Sequence, residues 1–422
     1  MIRIARVRDA EKFASSARPR IPEHRRKDVQ KIIEYIRKGG DAALQKTEAR
    51  FGSRVSSFRV TKKEIQAAYS IISRQELAAV KASKIALERT ERATLSGLNG
   101  TVMRHKGTII HRGYSPISSV GCYVPGGLAK YPSSAIMSVV PARIAGVPRI
   151  VVATPPDRSG SIDPLTLVAA DACGATEIYK TGGAQAVAAL SYGTRTIHPV
   201  DKIVGPGGLY VTLAKSLVSG DTAIDMLAGP TELAILADSS SDARHIAADL
   251  ISQAEHSSDT SCYVITNSAS KAREIDGILS DRMRGMPRSG IIRPALKNNG
   301  FIAVCTTMDA MVKLANMMAP EHLEVLTKKP RNIADRIRTA GLVLVGPYTP
   351  SSASDYMLGT NHILPTGGSG RARGSLSVLD FLRLDTQVES TRAGLRRISG
   401  HLRTLSAAEG LDSHHKAVEE RL

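Results

Sequence analysis

The chain has 422 residues, 42% of them apolar and 23% charged, with 4% aromatics and no tryptophan; this is a globular composition, long enough for two or three cores built on aliphatic side chains. Its net charge of +18, from 57 Lys and Arg against 39 Asp and Glu, raises nucleic acid or a membrane surface as a partner. The basic residues are spread, however, and the densest clusters, RIPEHRRKDVQK and GSGRARGS, interleave no aromatics as a single-strand binder would, so the excess is read as solvated faces that help attract anionic ligands.

Residues 1–22 are basic and weakly patterned and are read as an arm; MIRIARVRDAEKF carries charges too early and too often for the apolar core of a signal peptide. From about 26 to 97 the pattern is helical: DVQKIIEYIRKGG sets Val29, Ile32, Ile33 and Ile36 on one face before Gly39-Gly40 stops it. After 100, TVMRHKGTIIHRGYSPISSVGCYVPGG alternates short β-branched runs with turns. An α/β rhythm follows: SSAIMSVVPARIAGV as a helix despite its proline, PRIVVATPP as a strand, LTLVAADACGA as a helix closed by glycine, TEIYKT as a strand, GGAQAVAALSYGT as a helix, and VDKIVGPGG as a strand and turn. A second cycle starts near 232 with strand TELAILAD, helix ARHIAADLISQAEH behind the capping residues 239–242, strands SCYVIT and GFIAVC, helix MDAMVKLANMMA, and strands HLEVLT and GLVLVG. Residues 376–422 read as helical again. Strands alternating with helices predict parallel sheets. The chain divides into an arm (1–22), an α/β domain from 23–99 plus 233–372, a second α/β domain at 100–232, and a helical tail at 373–422. The most apolar stretch, 135–154, is interrupted by Pro141, Arg143, Pro148 and Arg149, so no membrane span is expected.

Polar groups capable of chemistry cluster in the second cycle. Gln253 and His256 are three apart at a helix end, which puts both on one face; the spacing suits two ligands of one ion, and equally a helix end whose histidine complements the macrodipole. Asp355 and His362 sit in the Gly- and Ser-rich loop SSASDYMLGTNHILPTGG, and His414 lies in the C-terminal tail. Two of these three His with the Asp and the Gln make an N/O donor set suited to zinc or a similar ion, although each residue also has an ordinary reading as a cap or a solvated side chain. Glu321-His322 in APEHLEVLT is a neighbouring carboxylate and imidazole, able to act as a base and a proton acceptor or to stand in water at a turn. Ligands of open α/β sheets gather at the carboxyl ends of strands, where these loops are expected. Gly-rich turns VPGG, TGG and GPGG allow close backbone approach, but no complete G-x-G-x-x-G is present. The cysteines Cys122, Cys173, Cys262 and Cys305 are far apart, form no CxxC, and sit in apolar surroundings as free thiols of a reducing cytoplasm would.

The blocks GCYVPGG, TGGAQAVAAL, VDKIVGPGG, AGPTELAILAD, DLISQAEH, APEHLE, SDYMLGTNHILPTGG, SLSVLDF and EGLDSHHKAV resemble histidinol dehydrogenase and occur in the family's order over nearly the whole chain. The resemblance implies two related, incomplete Rossmann-like domains of the aldehyde-dehydrogenase kind, with helical N- and C-terminal additions. It implies a cytoplasmic homodimer with one Zn2+ per subunit, held by Gln253, His256, Asp355 and a His414 supplied across the subunit boundary. It implies Glu321 as the base that activates water and His322 as the general acid/base. It implies L-histidinol contacts from Thr231, Gln253, His256, His322, Asp355, Glu409 and His414, and NAD contacts in 100–232 from Tyr123, Gln185 and position 208. Two positions depart from the family: Thr231 stands where Ser is usual, and Gly208 where Asn is usual, which removes a side-chain hydrogen bond of about 0.5–1.5 kcal/mol.

The implied reaction is a zinc-dependent, four-electron, NAD-dependent oxidation of L-histidinol to L-histidine through the aldehyde. His322 takes the alcohol proton, and Glu321 deprotonates the water that adds to the aldehyde. A thiol nucleophile at Cys122 is the alternative chemistry for the aldehyde step. A paralogue oxidising another polar primary alcohol is the alternative function; Glu409 and His414, the positions tied to histidinol, argue against it.

Overall fold

The computed structural model of the chain describes residues 2–16, 23–126, 130–227 and 229–422; part of the expected arm (17–22), Gly127 of the VPGG turn, and Ala228 at the head of AGPTELAILAD lie outside them. The elements run β1 (Arg3–Arg6), α1 (Ala10–Ser16), α2 (Glu23–Arg50), α3 (Lys62–Ile71), α4 (Arg74–Ser96), β2 (Thr101–His105), β3 (Thr108–Pro116), β4 (Ser119–Tyr123) and α5 (Pro132–Ala145). They continue with β5 (Arg149–Thr154), α6 (Pro164–Cys173), β6 (Glu177–Lys180), α7 (Gly183–Tyr192), β7 (Lys202–Val204), α8 (Leu209–Val218), β8 (Ala223–Ile224), β9 (Glu232–Ala237), α9 (Ala243–Ala254) and β10 (Ser261–Thr266). The last third holds α10 (Ala269–Arg282), α11 (Ser289–Pro294), β11 (Phe301–Val304), α12 (Met308–Met318), β12 (His322–Leu326), α13 (Pro330–Ala334), β13 (Leu342–Val345), α14 (Ser351–Ser354), β14 (Leu382–Ser390), α15 (Arg392–Ala408) and α16 (Asp412–Glu419).

Two parallel sheets organise these elements, as the alternating pattern predicts. One has five strands in the order β6-β5-β4-β7-β8; the other has six, β1-β11-β10-β9-β12-β13. Side chains of successive strand residues point to opposite faces, and both faces of each sheet are buried, which is why the strands read as apolar runs. In the five-stranded sheet Val120, Cys122, Val152 and Ile178 pack toward α5 and α6, while Tyr123, Val151, Ala153 and Tyr179 pack toward α7 and α8. In the six-stranded sheet Leu233, Ile235 and Val264 face α9 and α10, whereas Ala234, Leu236, Leu323 and Val325 face α12. A fully buried aliphatic residue of this kind stabilises by about 1.5–3 kcal/mol relative to exposure.

Four readings are corrected. Residues 3–6 of the expected arm form β1, which pairs in parallel with β11 from Arg3↔Phe301 to Arg6↔Val304; Ile2 is buried in the core of that sheet, which ties the segment down. Residues 23–99 do not join 233–372: Val29, Ile33 and Ile36 of α2 are buried with α7 and α8, and Ala68 of α3 and Val80 and Leu87 of α4 with α5 and α6, so all three helices cover the five-stranded unit. The tail is not wholly helical, because Leu382–Ser390 pairs antiparallel with β3 along its whole length in a three-stranded ribbon β14-β3-β2. The alternation in LRLDTQVES is strand periodicity on a largely exposed ribbon. The helix stop expected at Gly39-Gly40 is a kink: Gly40 has φ 52 and ψ −138, and helix resumes beyond it.

Candidate functional site

Helices in these units run antiparallel to their strands, so the amino edge of a sheet collects helix C-termini and the carboxyl edge collects N-termini. The two edges therefore differ in electrostatics: partial negative charge favours a cation at the first, partial positive charge an anion at the second. The candidate residues divide accordingly. Thr231, Glu321 and His322 lie at the starts of β9 and β12, on the amino edge of the six-stranded sheet and not at the carboxyl ends expected from sequence. The last turn of α9 delivers Gln253 to the same edge, and His256 follows just past the helix end at Ala254.

Alternation on β12 places His322 and Glu324 opposite Leu323 and Val325, on the α9 side. The segment after β13 runs back over this face, anchored where Ser351 N donates to Glu324 Oε1 at 2.7 Å. Ser351 Oγ donates to Gln253 Oε1 at 3.4 Å, and Asp355 caps the C-terminus of α14. Asp355 Oδ1 lies 3.7 Å from His322 Nε2, beyond hydrogen-bond length, and that buried Nε2 has no hydrogen-bond partner. His322 Nδ1 is 3.3 Å from Glu232 O and 3.9 Å from Glu321 Oε2. Glu321 and Glu232 brace each other: Glu232 N donates to Glu321 Oε2 at 2.7 Å, and Glu321 N to Glu232 Oε2 at 3.3 Å.

Burial sets the protonation of this pair. Glu321 is pushed up to about 8, chiefly by desolvation, with the His322 charge and the Glu232 N–H acting against it. Desolvation works to lower His322, but Asp355 and Glu321 outweigh it and hold the imidazole at about 9. Burial likewise opposes ionisation of Asp355, yet His322, His362 and His256 together keep its carboxyl below the ordinary range. A base and a general acid poised within reach of neutral pH, both out of water, suit proton transfer.

Gln253, His256 and Asp355 are oxygen and nitrogen donors at a helix C-terminus, a set that fits a borderline divalent cation still needing another ligand. No three His, Cys, Asp or Glu side chains converge at ligating distance within the chain among the described residues. His414 does not join the others here: it is exposed on α16, with Glu409 and His401 along a groove between α15 and α16. These two helices pack on each other, and α15 starts against the β2–β3 turn, where Thr391 N donates to Gly107 O at 2.9 Å. Their apolar face is open, with Leu405 65% exposed and Ile398 and Leu411 also in solvent.

The carboxyl edge of the five-stranded sheet carries the remaining candidates. Tyr123 ends β4, Gln185 is in the first turn of α7, and Gly208 caps α8 without a side-chain hydrogen bond. Tyr123 OH accepts from Gly183 N at 3.0 Å. Gln185 Nε2 donates to Glu48 Oε1 at 3.0 Å, and its buried Oε1 has no partner. The GPGG turn needs glycine at Gly205, where φ is +115 and a Cβ would lie 2.1 Å from Tyr123 O. At Gly208 it does not: φ is −65 and nothing lies within 4 Å of a Cβ. An open N-cap, close backbone approach and an unmet buried acceptor fit an anionic, hydrogen-bonding cofactor. Cys122 is fully buried and burial pushes its thiol up to about 12, which withholds the thiolate a nucleophile needs.

Sequence reasoning passed over Glu232, Asp249, Glu324 and Glu48. Glu324 is fully buried and pushed up to about 8 by desolvation and by Asp249, whose own carboxyl is raised by burial. The alternating charge in HLEVL was a signal for Glu324, since an acid on an inward strand position requires a partner; the other three have no local signature.

The family model described as histidinol dehydrogenase matches residues 17–422. A histidinol dehydrogenase of Bacillus licheniformis is 42% identical over 400 residues, covering 94% of each chain. One of Methanothermobacter thermautotrophicus is 42% identical over 396 residues, covering 93% of this chain and 92% of its own. The crystal structure of the histidinol dehydrogenase from Elizabethkingia anophelis superimposes with a TM-score of 0.93 at 32% identity, covering 100% of this chain and 98% of that one.

Proposed function

Since the chain belongs to the histidinol dehydrogenase family and is an enzyme of histidinol oxidation in histidine biosynthesis, we propose that it converts L-histidinol to L-histidine through L-histidinaldehyde, with two NAD per turnover, as a zinc-dependent cytoplasmic homodimer. The observation that carries this reading is the buried Glu321-His322 pair facing Asp355 beside the C-terminus of α9.

His322 offers Nε2, the atom without a partner, to the substrate hydroxyl and accepts its proton as the carbinol hydride leaves. NAD, when bound at the carboxyl edge by Tyr123, Gln185 and the backbone at Gly208, supplies the hydride acceptor in each half-reaction. Glu321, held near neutrality by burial, then takes a proton from the water that adds to the aldehyde carbon. Loss of hydride from the resulting hydrate anion gives the carboxylic acid, which ionises to the carboxylate by releasing its proton to water. The buried site keeps the aldehyde from solvent between the steps. Gln253, His256, Asp355 and His414 of the partner subunit would hold zinc, which when bound fixes nitrogen ligands of the substrate. Thr231 and Glu409, with the ligands and His322, would contact the substrate. The open apolar face of α15 and α16, with His414 and Glu409 beside it, supports the hairpin as the element that enters the partner's site.

Because His322 must be neutral to accept a proton and Glu321 ionised to act as a base, activity rises with pH through about 8 to about 9. The test is histidinol-dependent NAD reduction before chelation, after it, and after zinc is restored. Two NADH per histidinol, lost on chelation and regained with zinc, is the expected result; one NADH per histidinol, or indifference to chelation, contradicts the reading.

A further inference from the structure

Glu48, near the end of α2, takes no part in the chemistry above, yet it is 2% exposed and tied to the cofactor edge. One oxygen, Oε1, accepts three hydrogen bonds from the segment that leaves β6 and opens α7: from Thr181 Oγ1 at 2.7 Å, Gly182 N at 3.1 Å and Gln185 Nε2 at 3.0 Å. Gly183 N, next in line, donates to Tyr123 OH at 3.0 Å. The glycine-rich turn that elsewhere cradles a phosphate is here already filled from inside.

Two consequences follow from the donor and acceptor chemistry. An oxygen receiving three donors is an acceptor, so Gln185 must turn its NH2 toward Glu48, and the opposite amide orientation would set two acceptors against each other. The atom left over is Gln185 Oε1, buried and without a partner, in a position that only a glycine at 183 permits, since a Cβ there would lie 2.7 Å from it. An unmet buried acceptor is costly, and a ligand N–H or O–H is what relieves it. A phosphate at this turn would also meet the Glu48 carboxylate at short range, where like charges repel strongly.

We propose that Glu48 is a positioning residue of the cofactor site: it orients Gln185 so that its carbonyl oxygen receives a hydrogen-bond donor of the dinucleotide, and it bars the diphosphate from the N-terminus of α7. The proposal rests on the reading of Gln185 as an NAD contact. The donor is a ribose hydroxyl or the nicotinamide NH2, which share this chemistry.

The test titrates NADH fluorescence and ADP-ribose binding to the intact protein and to E48A and E48Q, with thermal melts to establish folding; E48L, which keeps the volume, replaces E48A should the latter not fold. Losing one oriented hydrogen bond raises the NADH Kd by about three- to tenfold in E48A, while E48Q, whose carbonyl still accepts, stays within about threefold of wild type. ADP-ribose weakened in parallel places the donor on the ribose side, and ADP-ribose unchanged places it on the nicotinamide; both support the proposal. NADH binding unaltered in E48A, or weakened equally in E48A and E48Q, overturns it; E48Q binding ADP-ribose somewhat more tightly than wild type supports the barring role, because removal of the charge then relieves the repulsion on the diphosphate. Wild type that fails to bind NADH overturns the underlying reading of the site instead.

Discussion

Glu321→Gln separates the two half-reactions. Gln can still accept from Glu232 N, which meets Glu321 Oε2 at 2.7 Å, and its own N–H still reaches Glu232 at 3.3 Å, so the fold at the start of β12 is retained while the base is removed. A positioned general base contributes about 10²–10⁴-fold. Oxidation of supplied histidinaldehyde should fall by that factor, whereas single-turnover oxidation of histidinol to the aldehyde, which relies on His322, should stay within about tenfold. The same substitution has a signature in stability. The folded carboxyl titrates at about 8 against an ordinary 4.5, so it is raised. Its proton-linked stability is fully present below about 4.5 and is lost as pH rises through about 8. The loss is at most about 4–5 kcal/mol. E321Q never ionises and escapes that loss, so its Tm should exceed wild type at pH 9 and match it near pH 4.5. Equal damage to both half-reactions, or melting curves that change identically with pH, would refute the assignment of Glu321 as a buried base.

Cys122→Ala should keep most activity in the same assay, since a thiol pushed up to about 12 supplies no nucleophile; near-total loss in a folded variant would restore the thiol route. Gly208→Asn should bind NADH up to about tenfold tighter by regaining one side-chain hydrogen bond, because φ is ordinary and the space is open. Fluorescence titration showing weaker or unchanged binding would remove position 208 from the cofactor site.

Most of the two sheets was legible because buried parallel strands and their helices leave strong periodic signals. β1 was not: RIAR is short and half basic, and only its pairing with β11 makes it a strand. β14 was masked by its polarity and by the helix that follows. The assignment of α2–α4 failed because an apolar stripe tells that a helix is buried, not which sheet buries it. Within the site, the spacing of Gln253 and His256 and the Glu321-His322 dipeptide were visible as possibilities, and the fold brings them to one edge. That edge was misplaced because the carboxyl-end rule applies to ligands that seek helix N-termini, whereas the proposed cation would seek the opposite end. Glu48 and Glu232 matter through neighbours more than 80 residues away in sequence, which no local pattern reports.

The central claim is that His414 serves the site of the partner subunit, and mixing two variants that cannot complete the oxidation to histidine tests it. E321Q lacks the base and H414A lacks the donated ligand. In a mixed dimer, the H414A chain keeps Glu321 and receives an intact histidine from the E321Q chain, which completes one of the two sites. Equimolar subunit exchange should therefore restore about a quarter of wild-type histidine formation. If His414 acts within its own chain, every site in the mixture lacks one group or the other, and no activity returns.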